Sequence, residues 1–237
     1  MRQQLTVQDL GLIPYADALQ IQQQKSEELT DHKLKGISNG HSHFLFFCEH
    51  TPVITLGKSG DEHHLLMDES FLREKGIEFY RTSRGGDITY HGPGQLVGYP
   101  VMDLEFFFTD IKKYMRMLEE VIIQTIAEFG LKGFRIEDAT GVWVNSVSND
   151  QPKKIAAFGV KMSRWVTMHG FALNVDPDLS HFEYIVPCGI ADKGVTSMRN
   201  EIGSNEQLSM DKVKEIVLDK FSAIFDVEIK THTLINS

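Results

Sequence analysis

The stretch Lys154–Val175, KIAAFGVKMSRWVTMHGFALNV, holds two apolar runs, KIAAFGVKM (154–162) and WVTMHGFALNV (165–175), that read as strands. GVWV (141–144) precedes them, with the polar insert NSVSNDQPK turning between the first two, so three strands follow one another here. Working outward, FLFFC (44–48) and VITLG (53–57) are further strands around the break Glu49-His50-Thr51-Pro52. IEFYR (77–81) and QLVGYPV (95–101) flank a glycine-rich loop. The segment after Pro14, YADALQIQQQKSEEL, is rich in helix formers. From Ile111 to Phe129 the apolar residues Ile111, Tyr114, Met115, Leu118, Val121, Ile122, Ile126 and Phe129 recur at three- and four-residue steps, one face of a helix that Gly130 stops. A last helix is expected from near Ser209, turning Val213, Ile216, Val217, Phe221 and Ile224 inward, before a terminal strand DVEIKTHTL. With no repeat and no composition break, residues 1–237 are expected to form a single mixed α/β (α+β) domain, a mixed sheet with flanking helices.

The 41% hydrophobic and 24% charged fractions are those of a globular protein. No apolar stretch approaches the roughly 20 residues of a membrane span, so no membrane contact and a cytoplasmic location are expected. Two cysteines, Cys48 and Cys188, argue against a disulfide framework. A net charge of -9 speaks against nucleic acid, whose phosphates need a basic surface. An acidic protein partner would need a local basic patch, for which Lys112, Lys113 and Arg116, with Lys153, Lys161 and Arg164, are candidates; a solvated polar face is the better account of them from sequence alone.

The loop RGGDITYHGPGQ (84–95) lays two glycine pairs beside Arg84, Tyr90 and His91. Glycines so placed mark tight turns or a close approach of backbone to a ligand. They fit neither common phosphate fingerprint: Val97 stands where a dinucleotide loop has its third glycine, and Gly57-Lys58-Ser59 has Pro52 where a P-loop has its first. His41, His43, Cys48 and His50 could be imagined around a metal, but the phenylalanines between them are better explained by a core, and no metal is expected. His63 and His64 sit in a polar loop and are expected at the surface.

Cys48 ends a buried-looking strand and reads as a small packed hydrophobe. Cys188 lies in IVPCGI, where Pro187 stiffens the approach and Gly189 leaves room beside the sulfur, a setting that suits a nucleophile or an ordinary loop cysteine. A nucleophilic thiol must lose its proton. Lys154, opening an otherwise apolar strand, is the suggestive partner, since a lysine partly removed from water gives up its proton readily; a strand-edge lysine reaching solvent is the alternative.

Taken in order, RGGDITYHGPGQLVGYP, KIAAFGVKM, HGFALNV and IVPCGI resemble the octanoyltransferases of lipoate biosynthesis, from about EHTPVITLG to VTSM. The resemblance implies a fold like the catalytic domain of biotin and lipoate ligases. It implies transfer of an octanoyl group from octanoyl-acyl carrier protein to a lysine of lipoyl domains, those of 2-oxoacid dehydrogenase complexes and the glycine-cleavage H protein. The transfer would run through a cysteine thioester, with no cofactor. Cys188 then matches the nucleophile and Lys154 its partner. Arg84, Gly85, Gly86, Asp87, Ile88, Thr89, Tyr90 and His91 match the substrate-binding segment, as do Ala157, Phe158, Gly159, Gly170, Phe171 and Ala172, with His169 and Asn174 in support. Ile88 and Tyr90 are expected to wall an acyl tunnel, and backbone N–H groups near the sulfur to stabilise the oxyanion. An ATP-dependent lipoate or biotin ligase on the same fold, a non-catalytic acyl-binding protein and a cysteine hydrolase are the competing expectations.

Overall fold

The computed structural model describes residues 2–36, 43–187, 194–204 and 207–231. In chain order it runs β1 (Gln3–Ile13), α1 (Tyr15–Leu34), β2 (His43–His50), β3 (Val53–Leu56), α2 (Glu69–Glu74), β4 (Glu78–Arg81), β5 (Ile88–His91), β6 (Gln95–Val101), α3 (Ile111–Ala127), β7 (Phe134–Ile136), β8 (Ala139–Asn145), β9 (Pro152–Ser163), β10 (Val166–Asn174), α4 (Met198–Ile202), α5 (Met210–Phe225) and β11 (Val227–Thr231). Eight strands pair in the order β11-β1-β2-β6-β10-β9-β8-β7, and three form a smaller sheet, β4-β3-β5. The large sheet is mixed: β1 runs parallel to β2 and β11, and the other pairs are antiparallel.

Side chains alternate across a strand, and here the alternation sorts the core. Leu45 and Phe47 of β2 and Leu96 of β6 pack with the apolar stripes of α3 and α5, whereas Phe46, Cys48, Val97 and Tyr99 face the side that α1 covers. Side chains cap the starts of α3 and α5: Asp110 accepts from the Lys113 N–H and Ser209 from the Lys212 N–H. The terminal strand covers Val227–Thr231 of the expected DVEIKTHTL, whose last three residues lie outside the described residues.

Three strands are additions to the sequence reading: β1, β5 and β7, the last only three residues long. β1 has only Leu5 and Val7 buried and so carries almost no apolar signature. β5 occupies four residues inside the glycine-rich loop, too short to stand out between its turns, and pairs antiparallel with β3 in the register Val53↔His91 to Leu56↔Ile88. This pairing carries the glycine loop across the face of β9 and β10.

Candidate active site

A cleft lies between β5 with its preceding loop and the strands β6, β9 and β10. Its walls include Arg84, Gly86, Asp87, Ile88, Thr89 and His91 from the loop and β5, Ala157, Phe158 and Gly159 from β9, and Gly170, Phe171 and Ala172 from β10. The loop is clasped to β9 by the Gly85 N–H, which donates to Val160 O at 2.8 Å. That approach requires glycine at 159, where a Cβ would stand 2.8 Å from Gly85 O, and Gly86 makes the turn at φ +90°.

Two of the expected substrate residues face elsewhere. Gly85 spends its backbone on the clasp to β9. Tyr90 shares a strand face with Ile88, but its ring packs on Phe182 and its hydroxyl meets His181 Nδ1 at 2.8 Å, in the core of the small sheet. Ile88 walls the cleft, together with Thr89 and His91; Tyr90 does not, because its ring is taken up by His181 and Phe182.

A smaller cavity shares Ile88, Thr89, Ala157 and Ala172 with the cleft and continues to Lys154, Gln95, Asn174, Pro187 and Val195. Lys154 is 7% exposed, its Nζ 4.9 Å from the centre of the Trp143 ring, its stem accommodated by Gly141, where a Cβ would lie 3.0 Å from Lys154 Cε. The backbone beside it is fixed by the Lys154 N–H donating to Gly194 O and the Thr196 N–H donating to Lys154 O. Pro187 and Gly194, the described residues on either side of Cys188, therefore both lie at Lys154. Cys188 itself lies outside the described residues. Cys48 is fully buried, and burial raises its thiol far above the ordinary range, as suits a packed hydrophobe.

Polar groups line the inner part of the site. Asn174 donates to Thr196 O and accepts from Gln95 Nε2, so Gln95 Oε1 is the acceptor for His91 Nδ1–H at 2.6 Å. Burial pushes His91 down to about 3 and His169 to about 4, and the nearby Arg84 guanidinium disfavours a further positive charge on either ring. Both imidazoles are neutral at pH 7. Arg84 is 8% exposed and spends its fork on Thr55, Nη2 donating to Thr55 O at 2.8 Å and to Thr55 Oγ1 at 2.9 Å. His169 holds φ +59° and forms part of the cleft wall, its N–H donating to Gln22 Oε1 of α1 at 2.9 Å. His50 is a core residue: Nδ1–H donates to Ile13 O and Nε2 accepts from the Tyr99 hydroxyl. His43 packs on Phe106 and Phe107.

The chain matches the family described as Lipoyl protein ligase A/B catalytic domain over residues 15–222. It is 51% identical to a protein named Octanoyltransferase from Cytophaga hutchinsonii, over 96% of each chain. To a protein of the same name from Flavobacterium johnsoniae it is 49% identical, over 97% of this chain and 100% of the other. The chain belongs to this family. Relatives this similar across nearly the whole length make it an acyltransferase, as the sequence motifs imply. The fold is that of lipoate ligases. A bi-partite lipoate protein ligase from Thermoplasma acidophilum, solved with its E2 lipoyl domain, superposes with a TM-score of 0.69 at 19% identity over 99% of this chain and 88% of the other. A lipoate-protein ligase A bound with ATP gives 0.65 at 17% identity, over 99% and 90%.

Sequence reasoning missed three wall residues of the cleft, Tyr15, Val97 and Tyr99. Tyr15 opens α1 directly after Pro14, and its hydroxyl donates to Thr82 Oγ1 at 3.0 Å. Val97 and Tyr99 sit two apart on β6, the spacing of one strand face. Among the described residues no helix is long and apolar enough to cross a membrane.

Proposed function

We propose that this acyltransferase takes the octanoyl group of octanoyl-acyl carrier protein onto Cys188 as a thioester and delivers it to the target lysine of a lipoyl domain, in the cytoplasm and without a cofactor. The observation that carries the reading is the cavity shared by Lys154 and Pro187, adjoining the cleft, with which it has Ile88, Thr89, Ala157 and Ala172 in common. Along β9 the walls span Lys154 to Gly159, six residues whose five steps cover roughly 16 Å of strand. An extended eight-carbon chain needs about 9 Å, since each C–C bond of about 1.5 Å advances a zigzag by about 1.3 Å.

In the first half-reaction the Lys154 amine takes the Cys188 proton, and the thiolate attacks the donor's carbonyl carbon. A new C–S bond forms, the bond to the carrier sulfur breaks, and Lys154 returns the proton to the departing thiolate. In the second half-reaction the acceptor amine attacks the Cys188 thioester, Lys154 takes the proton the amine sheds, and the amide forms as the Cys188 thiolate leaves and is reprotonated. Thioester exchanges for thioester in the first step, so the donor needs no ATP.

Intact-mass measurement after mixing with octanoyl-acyl carrier protein tests the scheme. The wild type gains one octanoyl group without ATP, and Cys188→Ser gains none. Lys154→Ala stays folded and is acylated at least a hundredfold more slowly. Acylation that required ATP, or that proceeded at the wild-type rate in Lys154→Ala, would remove the proposed chemistry.

A further inference from the structure

We propose that His64 is a positioning residue for acyl transfer, tethering the chain that enters position 188 to the glycine loop through its pair with Asp87. The sequence places His64 beside His63 in a polar loop, but the two differ. His63 is a surface residue, its side chain 94% exposed and bonded to Asp61. His64 is 28% exposed and meets Asp87 Oδ2 through Nδ1 at 2.6 Å, where Asp87, 15% exposed, forms part of the cleft wall. The carboxylate thus fixes which ring nitrogen carries the proton.

The backbone around His64 reaches the other side of the site. Its carbonyl accepts from the Val186 N–H at 2.8 Å, the Leu66 N–H donates to Tyr184 O at 2.9 Å, and Leu65 bridges to Ile185. On the glycine-loop side the Gly57 N–H donates to Asp87 O, the Lys58 N–H to Arg84 O, and Ser59 Oγ to Gly86 O. His64 is the one residue of this segment that joins both by direct bonds: its carbonyl holds the residue two before Cys188, and its ring holds a wall of the cleft. Reacting atoms must be placed within about an ångström, so a slack tether lowers the rate of attack more than the binding of the chain.

The inference rests on Cys188 being the acylated residue. The test is single-turnover acylation with an octanoyl thioester donor, separating maximal rate from half-saturating concentration, with hydrogen exchange of the Val186 amide alongside. His64→Leu lowers the maximal rate at least tenfold with half-saturation within twofold, and speeds Val186 exchange. His64→Asn, whose side-chain N–H still reaches Asp87, recovers most of the rate. Asp87→Ala behaves as His64→Leu does and breaks the same bond should His64→Leu not fold. Asp87→Ala also removes the acceptor of the Asp61 N–H at 3.2 Å, and the double variant is no slower than Asp87→Ala alone, because the His64 bond is already lost there. His63→Ala matches the wild type. A wild-type maximal rate in His64→Leu, a loss confined to half-saturation, or multiplying losses overturns the tether. If the wild type itself is never acylated, the Cys188 reading fails instead, and unchanged Val186 exchange in the variants then overturns the tether by itself.

Discussion

Gly159 shows how one absent side chain shapes the cleft. It is paired with Gly170 on β10, and a Cβ there would press on Gly85 O at 2.8 Å and Arg84 Cδ at 3.1 Å, prising the glycine loop from β9. Gly159→Val is therefore expected to destabilise the fold by about 1–3 kcal/mol through overpacking. It should also lower octanoyl transfer at least tenfold, because the displaced loop carries Arg84, Asp87 and Thr89. Urea unfolding and a transfer assay check this, and a variant with wild-type values in both would mean the loop need not lie so close. Arg84 makes the complementary point: with its fork on Thr55, it anchors the loop from inside and places a fixed positive charge beside two neutral histidines.

Among the elements, α1 carries the least obvious part of the site. Its apolar content is low, yet it buries Gln22 against the sheet, where Oε1 takes the His169 N–H and Nε2 donates to Ala18 O. A buried donor left without a partner costs about 1–3 kcal/mol, so Gln22→Leu is expected to lower the unfolding free energy by that amount. A measured change under about 0.5 kcal/mol would show that His169 does not depend on α1. Such arrangements were hard to read from the chain. The strands β6, β9 and β10 announce themselves by apolar runs and the helices α3 and α5 by period, and the glycines of RGGDITYHGPGQ announce a close approach. Twelve of the fourteen expected substrate residues line the cleft, and it is the family resemblance, not any local period, that singles them out. Tyr90 lies off the cleft because the register of the short β5 is set by its pairing with β3, Ile54 with Tyr90, 36 positions apart, which no local pattern encodes. His64 and Gln22 went unread for a related reason, since a histidine in a polar loop or a glutamine on a helix acquires its meaning only from a partner distant in sequence, Asp87 or His169.

Across the whole molecule, three of the four buried histidines among the described residues tie stability to pH. His50, His91 and His169 are all held below their ordinary value by burial, His91 to about 3 and His169 to about 4. In the unfolded chain each titrates near 6.5. Between that value and the folded ones the unfolded state binds protons that the native state refuses, so stability is fully present above about pH 6.5 and is lost as the pH falls. The slope approaches about 1.4 kcal/mol per pH unit for each such histidine. Asp61 and Glu62, lowered by hydrogen bonds, add their own loss only below the ordinary carboxylate range near 4.5, so a window from pH 7.5 to 5 reports the histidines. His169→Gln should remove about one proton from the slope, which urea unfolding at several pH values resolves. A flat profile over that window in the wild type would mean that these rings are charged in the fold, and that the inner end of the cleft is not the neutral, apolar-facing surface on which an acyl chain is accommodated.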